Sequence, residues 1–169
     1  MAEHGARPAD AAADLIAELT ARGLTVALAE SLTGGALAAE LTRPAGASAA
    51  ILGGLVVYAT ELKHTLAAVD SELLAEHGPV HPAVAAQLAA GVRHRLAVSG
   101  RPADIGVSTT GVAGPAWQSG RAPGTVFVGI DSPRGSRVVS LQLTGDRARI
   151  RAAVVAHAVA ELQEEVARL

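Results

Sequence analysis

The sequence predicts one α/β domain, a three-layer α/β/α sandwich around a mixed sheet, and three observations carry that expectation. Short apolar runs alternate with stretches of helical periodicity through most of the chain, the pattern of β–α–β units on parallel strands. Two further runs joined by turn residues then read as a hairpin, which makes the sheet mixed. A long amphipathic segment closes the chain. The 169 residues suit a single domain of ordinary size, with no repeat or linker to divide it.

Residues 1–7 read as a flexible tail, and the domain is expected over 8–169. Pro8 can open a first helix at its N1 position, with Ala12, Leu15, Ile16 and Leu19 at helical spacing until Gly23 ends it. Leu24 to Ala29 is a short apolar run expected as a buried strand. Glu30-Ser31-Leu32-Thr33-Gly34-Gly35 follows, then an alanine-rich helix to about Arg43, broken by Pro44-Ala45-Gly46. Ile51 to Tyr58 reads as a second strand whose Gly53 and Gly54 admit another backbone. Thr60 is a plausible N-cap for a helix over Glu61 to Ala68. A short helix around Ser71 to His77 is followed by one starting at His81-Pro82 and running to about Val98, with Val84, Leu88, Val92 and Leu96 on one face. Asp104 to Thr109 is a third strand that runs into Thr110-Gly111-Val112-Ala113-Gly114-Pro115. Gly124–Asp131 and Arg137–Leu143 are strands joined through Ser132-Pro133-Arg134-Gly135, which is turn chemistry. Gly145-Asp146-Arg147 leads into the last helix, whose expected apolar face includes Ile150, Val154, His157, Leu162 and Val166.

Composition removes whole classes of function. Without cysteine there is no disulfide, no thiolate zinc site and no cysteine nucleophile. A net charge of −2 and single Tyr, Trp and Phe residues supply neither a basic footprint nor a stacking platform for nucleic acid. The first residues lack the apolar core of a signal peptide, and no apolar run is long enough to span a bilayer, so a soluble cytoplasmic protein is expected. Thirteen arginines stand against one lysine, Lys63, so that residue and the single tyrosine, Tyr58, draw attention.

Ligands of open α/β sheets bind beyond the carboxyl ends of the strands. Three such ends carry small and polar residues together: Glu30–Gly35, Tyr58–Lys63 and Thr109–Pro115. The helices after the first two offer backbone N–H groups to an oxyanion or phosphate. None of the three is a P-loop, a dinucleotide fingerprint or a GxSxG elbow. With Thr60 as N-cap, Lys63 occupies the first helical turn, where the helix dipole disfavours a cation by ~0.3–1 kcal/mol. An ordinary lysine there would snorkel into solvent; a buried one, its pKa lowered, would serve as a general base. Such a base needs a hydroxyl nucleophile, and Ser31 and Ser48 are the candidates near strand ends. Tyr58 is read either as a rim aromatic or as a phenol that relays a proton or orients the serine–lysine pair. His77 and His81 are separated by Gly78 and Pro79 and lack the further ligands of a zinc site. His94 belongs on a solvated helix face and His157 in packing. Arg147 is either a surface charge or a clamp for phosphate or carboxylate.

Six spaced segments, AESLTGG (29–35), PAGAS (44–48), GGLVVYATELK (53–63), TTGVAGP (109–115), PGTVFVGI (123–130) and TGDRARIR (144–151), resemble in matching order the C-terminal domain of the CinA (competence/damage-inducible) family. The resemblance covers residues 8–168. It implies a metal-independent, cofactor-free nicotinamide-nucleotide amidohydrolase that converts nicotinamide mononucleotide and water to nicotinate mononucleotide and ammonia. Matched motif by motif, it places the catalytic group on Ser31, Ser48, Tyr58 and Lys63, with either serine as nucleophile. The family's threonine and arginine fall on Thr110 and Arg147; with such a mechanism, substrate binding is expected at Thr33, Gly34, Gly35, Thr110, Gly111, Gly114 and Arg147, with backbone N–H groups near Gly34-Gly35 or Gly111 facing the oxyanion. The implied partner is a small nucleotide substrate, with no nucleic acid or membrane; alanine-rich helices are compatible with a homo-oligomer such as a dimer. The chain departs from the family pattern at Leu32, at Thr60 and in the short, bulky segment 116–121. That last departure motivates an alternative, a nucleotide-binding module of the same fold without turnover. The family's larger members add an N-terminal domain with pyrophosphatase-type activity, for which 169 residues leave no room.

Overall fold

Strands β1 (Val26–Glu30), β2 (Ile51–Val56), β3 (Ile105–Gly111), β4 (Thr125–Ser132) and β5 (Gly135–Gln142) form one sheet in the order β2-β1-β3-β4-β5. The structure is a computed structural model and describes residues 10–169. β1 runs parallel to both β2 and β3, whereas β3–β4 and β4–β5 are antiparallel. The sheet is therefore mixed, and the carboxyl ends of β1, β2 and β3 lie along one edge. β4 and β5 form the expected hairpin, with Ser132 opposite Gly135 across the two-residue turn Pro133-Arg134.

Helices α1 (Ala11–Arg22), α2 (Ala36–Thr42) and α6 (Arg147–Arg168) cover one face, and α3 (Thr60–Ala67), α4 (Ser71–His77) and α5 (Pro82–Arg95) cover the other. Alternation along β1 shows how the layers are sorted: Val26 and Leu28 join the α1/α2/α6 core, Ala27 and Ala29 the α3/α4/α5 core. The burial of every residue in β1 and β3 fits strands covered on both faces. This is the expected three-layer α/β/α arrangement in a single domain. Buried Glu165 of α6 accepts hydrogen bonds from Ser132 and Arg137 and so ties the hairpin to the helix.

Several local expectations are corrected. The described first helix starts at Ala11, with Asp10 as an N-cap that accepts from the Ala13 amide at 3.2 Å; Pro8 and the expected tail 1–7 lie outside the described residues. The cap of α3 is Ala59, without a side-chain bond, so Thr60 is the first helical residue and Lys63 stands one position deeper. Helix α5 ends at Arg95, short of Val98. His157 is exposed, because the buried stripe of α6 passes through Val154, Ala158 and Leu162 and leaves it outside.

The close backbone approaches also fall elsewhere than Gly53-Gly54. A Cβ on Gly106 would lie 2.0 Å from the Ala89 carbonyl oxygen, and one on Gly129 would lie 2.3 Å from that of Ala85. These two glycines let α5 settle directly onto β3 and β4, which fixes the depth of that layer.

Candidate active site

Lys63 is almost fully buried, at 1% exposure, although its helix begins only three residues earlier. A helical side chain leans toward the N-terminus of its helix, and this one reaches back under the preceding loop. Its Nζ donates to the Val57 carbonyl at 2.7 Å, to Ser31 Oγ at 3.2 Å and more distantly to the Tyr58 carbonyl at 3.5 Å. The snorkelling alternative is thereby excluded. Burial opposes the charged form and lowers the lysine pKa from 10.5 to about 8, so roughly half the amine is neutral at that pH. A neutral amine in hydrogen-bond reach of a hydroxyl can take its proton.

Ser31 follows the last residue of β1 and is half-buried. Its amide donates to the Thr109 carbonyl at 3.0 Å, which extends the sheet pairing by one residue. Ser48 lies elsewhere: it is exposed on the 3-10 turn Ala47–Ala49 that precedes β2. Lys63 contacts residues beyond the far end of that strand, and the five steps of β2 span about 17 Å. Of the two serines, this chain brings only Ser31 to its own lysine.

The loop after Ser31 is held by groups that the sequence reading left unassigned. Glu30, only 1% exposed, accepts from the amides of Gly35 at 3.0 Å, Leu37 at 3.0 Å and Ala38 at 2.8 Å. Its carboxylate therefore occupies the N-terminus of α2 that was expected to receive a ligand anion. The Gly34 amide donates to the Ser31 carbonyl at 3.0 Å. Both glycine amides are thus engaged within the protein, which corrects the expectation that they face an oxyanion. Gly34 and Gly35 instead supply positive φ, +59° and +97°, to the turn that enters α2. From the other side Arg151 of α6 donates to the carbonyls of Leu32 at 3.0 Å and Thr33 at 2.8 Å. A carboxylate at a strand end just before a glycine pair, and an arginine one helical turn after Arg147, are the signals that could have found them.

The threonine hydroxyls of these loops have partners within the protein. Thr33 is fully buried, its hydroxyl shared with that of Thr109 at 2.7 Å. Thr110 is 1% exposed and donates to the Pro79 carbonyl at 2.6 Å. Both hydroxyls are engaged within the protein and secure the sheet edge. Gly111 has a packing reason of its own: a Cβ there would stand 2.7 Å from the Thr125 carbonyl oxygen.

Tyr58 and Arg147 do converge. Tyr58 is 57% exposed, and its hydroxyl accepts from Arg147 Nη2 at 2.8 Å, while Arg147 Nη1 donates to the Gly114 carbonyl at 3.0 Å. The phenol is thus turned to the arginine, and Tyr58 approaches Lys63 only through its backbone carbonyl, which corrects the expected proton relay. Two of the guanidinium's five donors are used, and the exposed remainder can meet an anion. His77 and His81 stack with ring centroids 4.5 Å apart, and His81 Nδ1 accepts the Ala83 amide at 3.2 Å as the N-cap of α5.

The α/β domain thus sets a buried lysine beside a strand-end serine, and its relatives fix the family. The CinA C-terminal domain model matches residues 9–166, and the chain belongs to that family. It is 48% identical over 141 residues to a CinA-like protein of Frankia casuarinae, covering 83% of this chain and 31% of that protein. A CinA-like protein of Gemmatimonas aurantiaca is 39% identical over 94% of this chain and 36% of its own length. The chain thus spans about a third of the curated relatives it matches. Among solved structures, a CinA superfamily protein from Klebsiella pneumoniae superposes with a TM-score of 0.86 at 32% identity, covering 95% of this chain and 98% of the other. The competence/damage-inducible protein CihA from Agrobacterium tumefaciens gives 0.85 at 31% identity, with the same two coverages. No helix among the described residues is long and apolar enough to cross a membrane.

Proposed function

We propose that this chain is a nicotinamide-nucleotide amidohydrolase that hydrolyses the carboxamide of nicotinamide mononucleotide through Ser31 and Lys63. The observation that carries the reading is the buried Lys63 amine, 3.2 Å from Ser31 Oγ with its pKa lowered to about 8. Neutral Lys63 accepts the Ser31 hydroxyl proton as Oγ attacks the carboxamide carbon. The tetrahedral intermediate collapses by breaking the C–N bond; the ammonium form of Lys63 returns the proton, and ammonia leaves. Water, deprotonated by the same lysine, then hydrolyses the Ser31 ester and releases nicotinate mononucleotide. No metal or cofactor enters these steps. Arg147 offers its free N–H donors to the 5′-phosphate beside the Tyr58 ring, while Gly114 orients the guanidinium.

The test is ammonia release from nicotinamide mononucleotide by the purified chain. Ser31→Ala and Lys63→Met are expected to abolish it, and Ser48→Ala to retain it. Loss in Ser48→Ala with turnover in Ser31→Ala would overturn the assignment. A nucleotide-induced rise in thermal midpoint without ammonia would instead identify a binding module.

A further inference from the structure

The grip on the Ser31 loop has a form that helix stability alone does not require. Helix α2 has Gly35 at its N-cap and no local side-chain cap. The usual solution is a Ser, Thr, Asp or Asn at that position. Here the amides of Gly35, Leu37 and Ala38 are satisfied by a carboxylate from five residues upstream, on the residue immediately before Ser31. A local cap would secure the helix and leave residues 31–34 free to move. Glu30 closes those residues into a ring with Ser31 inside it.

Arg151 grips the same ring from the opposite pole of the peptide dipoles. It stands in the second turn of α6, near the helix end where a cation is disfavoured. Its compensation is two carbonyls, those of the two residues after Ser31. In a planar trans peptide the N–H points opposite to the C=O. Turning the Leu32 and Thr33 carbonyls toward α6 therefore turns the Thr33 and Gly34 amides away from it, and that of Gly34 closes onto the Ser31 carbonyl at 3.0 Å. One charge holds N–H groups, the other holds C=O groups, and the serine between them has one backbone path available.

We propose that Glu30 and Arg151 are positioning residues that act together to hold Ser31 Oγ against the Lys63 amine. The proposal rests on the amidohydrolase reading above and deepens it. It assigns rate, and not substrate affinity, to two side chains that themselves bind backbone.

The experiment compares wild type, Arg151→Ala, Arg151→Lys and Glu30→Gln in the whole chain. Three quantities are measured: kcat and KM for nicotinamide mononucleotide, the rate at which a fluorophosphonate labels Ser31 by mass spectrometry, and the thermal midpoint. Small misplacements of reacting groups cost on the order of a hundredfold. Arg151→Ala is expected to lose about that factor in both kcat and labelling rate, with KM within about twofold. Arg151→Lys should fall between, and millimolar guanidinium, well below denaturing concentrations, should restore part of the Arg151→Ala rate. Glu30→Gln, which presents an N–H₂ where an acceptor is needed, should slow labelling as well. Wild-type labelling rates in both Arg151→Ala and Glu30→Gln would overturn the proposal, as would a loss expressed only in KM. If Arg151→Ala does not unfold cooperatively, the Arg151→Lys labelling rate decides. A wild type that labels at Ser31 but releases no ammonia would sink the amidohydrolase reading while the labelling series still tests the positioning. A wild type that does not label would contradict both.

Discussion

Lys63 shows what a single side chain can be made to do by the depth at which it is placed. Its amine is held by two carbonyls and one hydroxyl and, among the described residues, receives no carboxylate, so burial lowers its pKa. The folded pKa is about 8 against 10.5 for a free lysine. Between those values the unfolded chain binds a proton that the folded chain does not, so stability rises with pH across that window. Below about 8 both states are protonated, and this contribution is absent. The thermal midpoint of wild type should therefore climb from pH 8 to 10 relative to Lys63→Met, in which this slope is lost; parallel curves would contradict the buried amine. The rarity of lysine and its unfavourable helical position singled this residue out in the sequence. Its burial was not legible there, because nothing in a linear pattern shows how far a side chain folds back beneath the loop that precedes it.

At the scale of elements, three loops at the carboxyl ends of β1, β2 and β3 come together as the strand pattern implied, but their internal bonding was hidden. Thr33 and Thr110 belong to motifs that suggest ligand contact, yet their hydroxyls meet Thr109 and Pro79. Thr110→Val should accordingly cost about 1–3 kcal/mol of stability by leaving the Pro79 carbonyl unsatisfied. It should leave the KM for the nucleotide unchanged, and a raised KM at unchanged stability would restore the binding role. Helix α5 makes a second case. Its layer rests on Gly129, where a Cβ would meet the Ala85 carbonyl at 2.3 Å. Gly129→Ala is expected to destabilise by about 1–3 kcal/mol, the range of overpacked cores, read from chemical denaturation. That Gly129 meets a helix backbone while Gly53-Gly54 do not could not be told from the sequence, since which strand lies under which helix is decided by the three-dimensional order β2-β1-β3-β4-β5.

For the whole molecule, the alternation of strands and helices was enough to give the layers, the hairpin and the mixed sheet, because burial on one or both faces writes its period directly into the residues. The site required the sheet order as well. Ser31 and Lys63 are 32 positions apart and meet because β1 and β2 are neighbours running the same way. Ser48 and Lys63 are closer in sequence and are separated by the length of β2. Arg147 and Arg151 arrive from the last helix and complete a site otherwise built from the first half of the described chain and the Gly114 turn. Their exposed and half-buried guanidinium groups join three loops that no local sequence window contains. On the proposed reading, the arrangement keeps Ser31 beside a lysine whose proton is loosened by burial. The direct measurement is kcat/KM for ammonia release from nicotinamide mononucleotide across pH 6 to 10, since that ratio reports the base in the free enzyme. The rate should rise with pH and level off above about 8, where Lys63 loses its proton. A rate that is flat through that range, or no ammonia at any pH, would contradict the account.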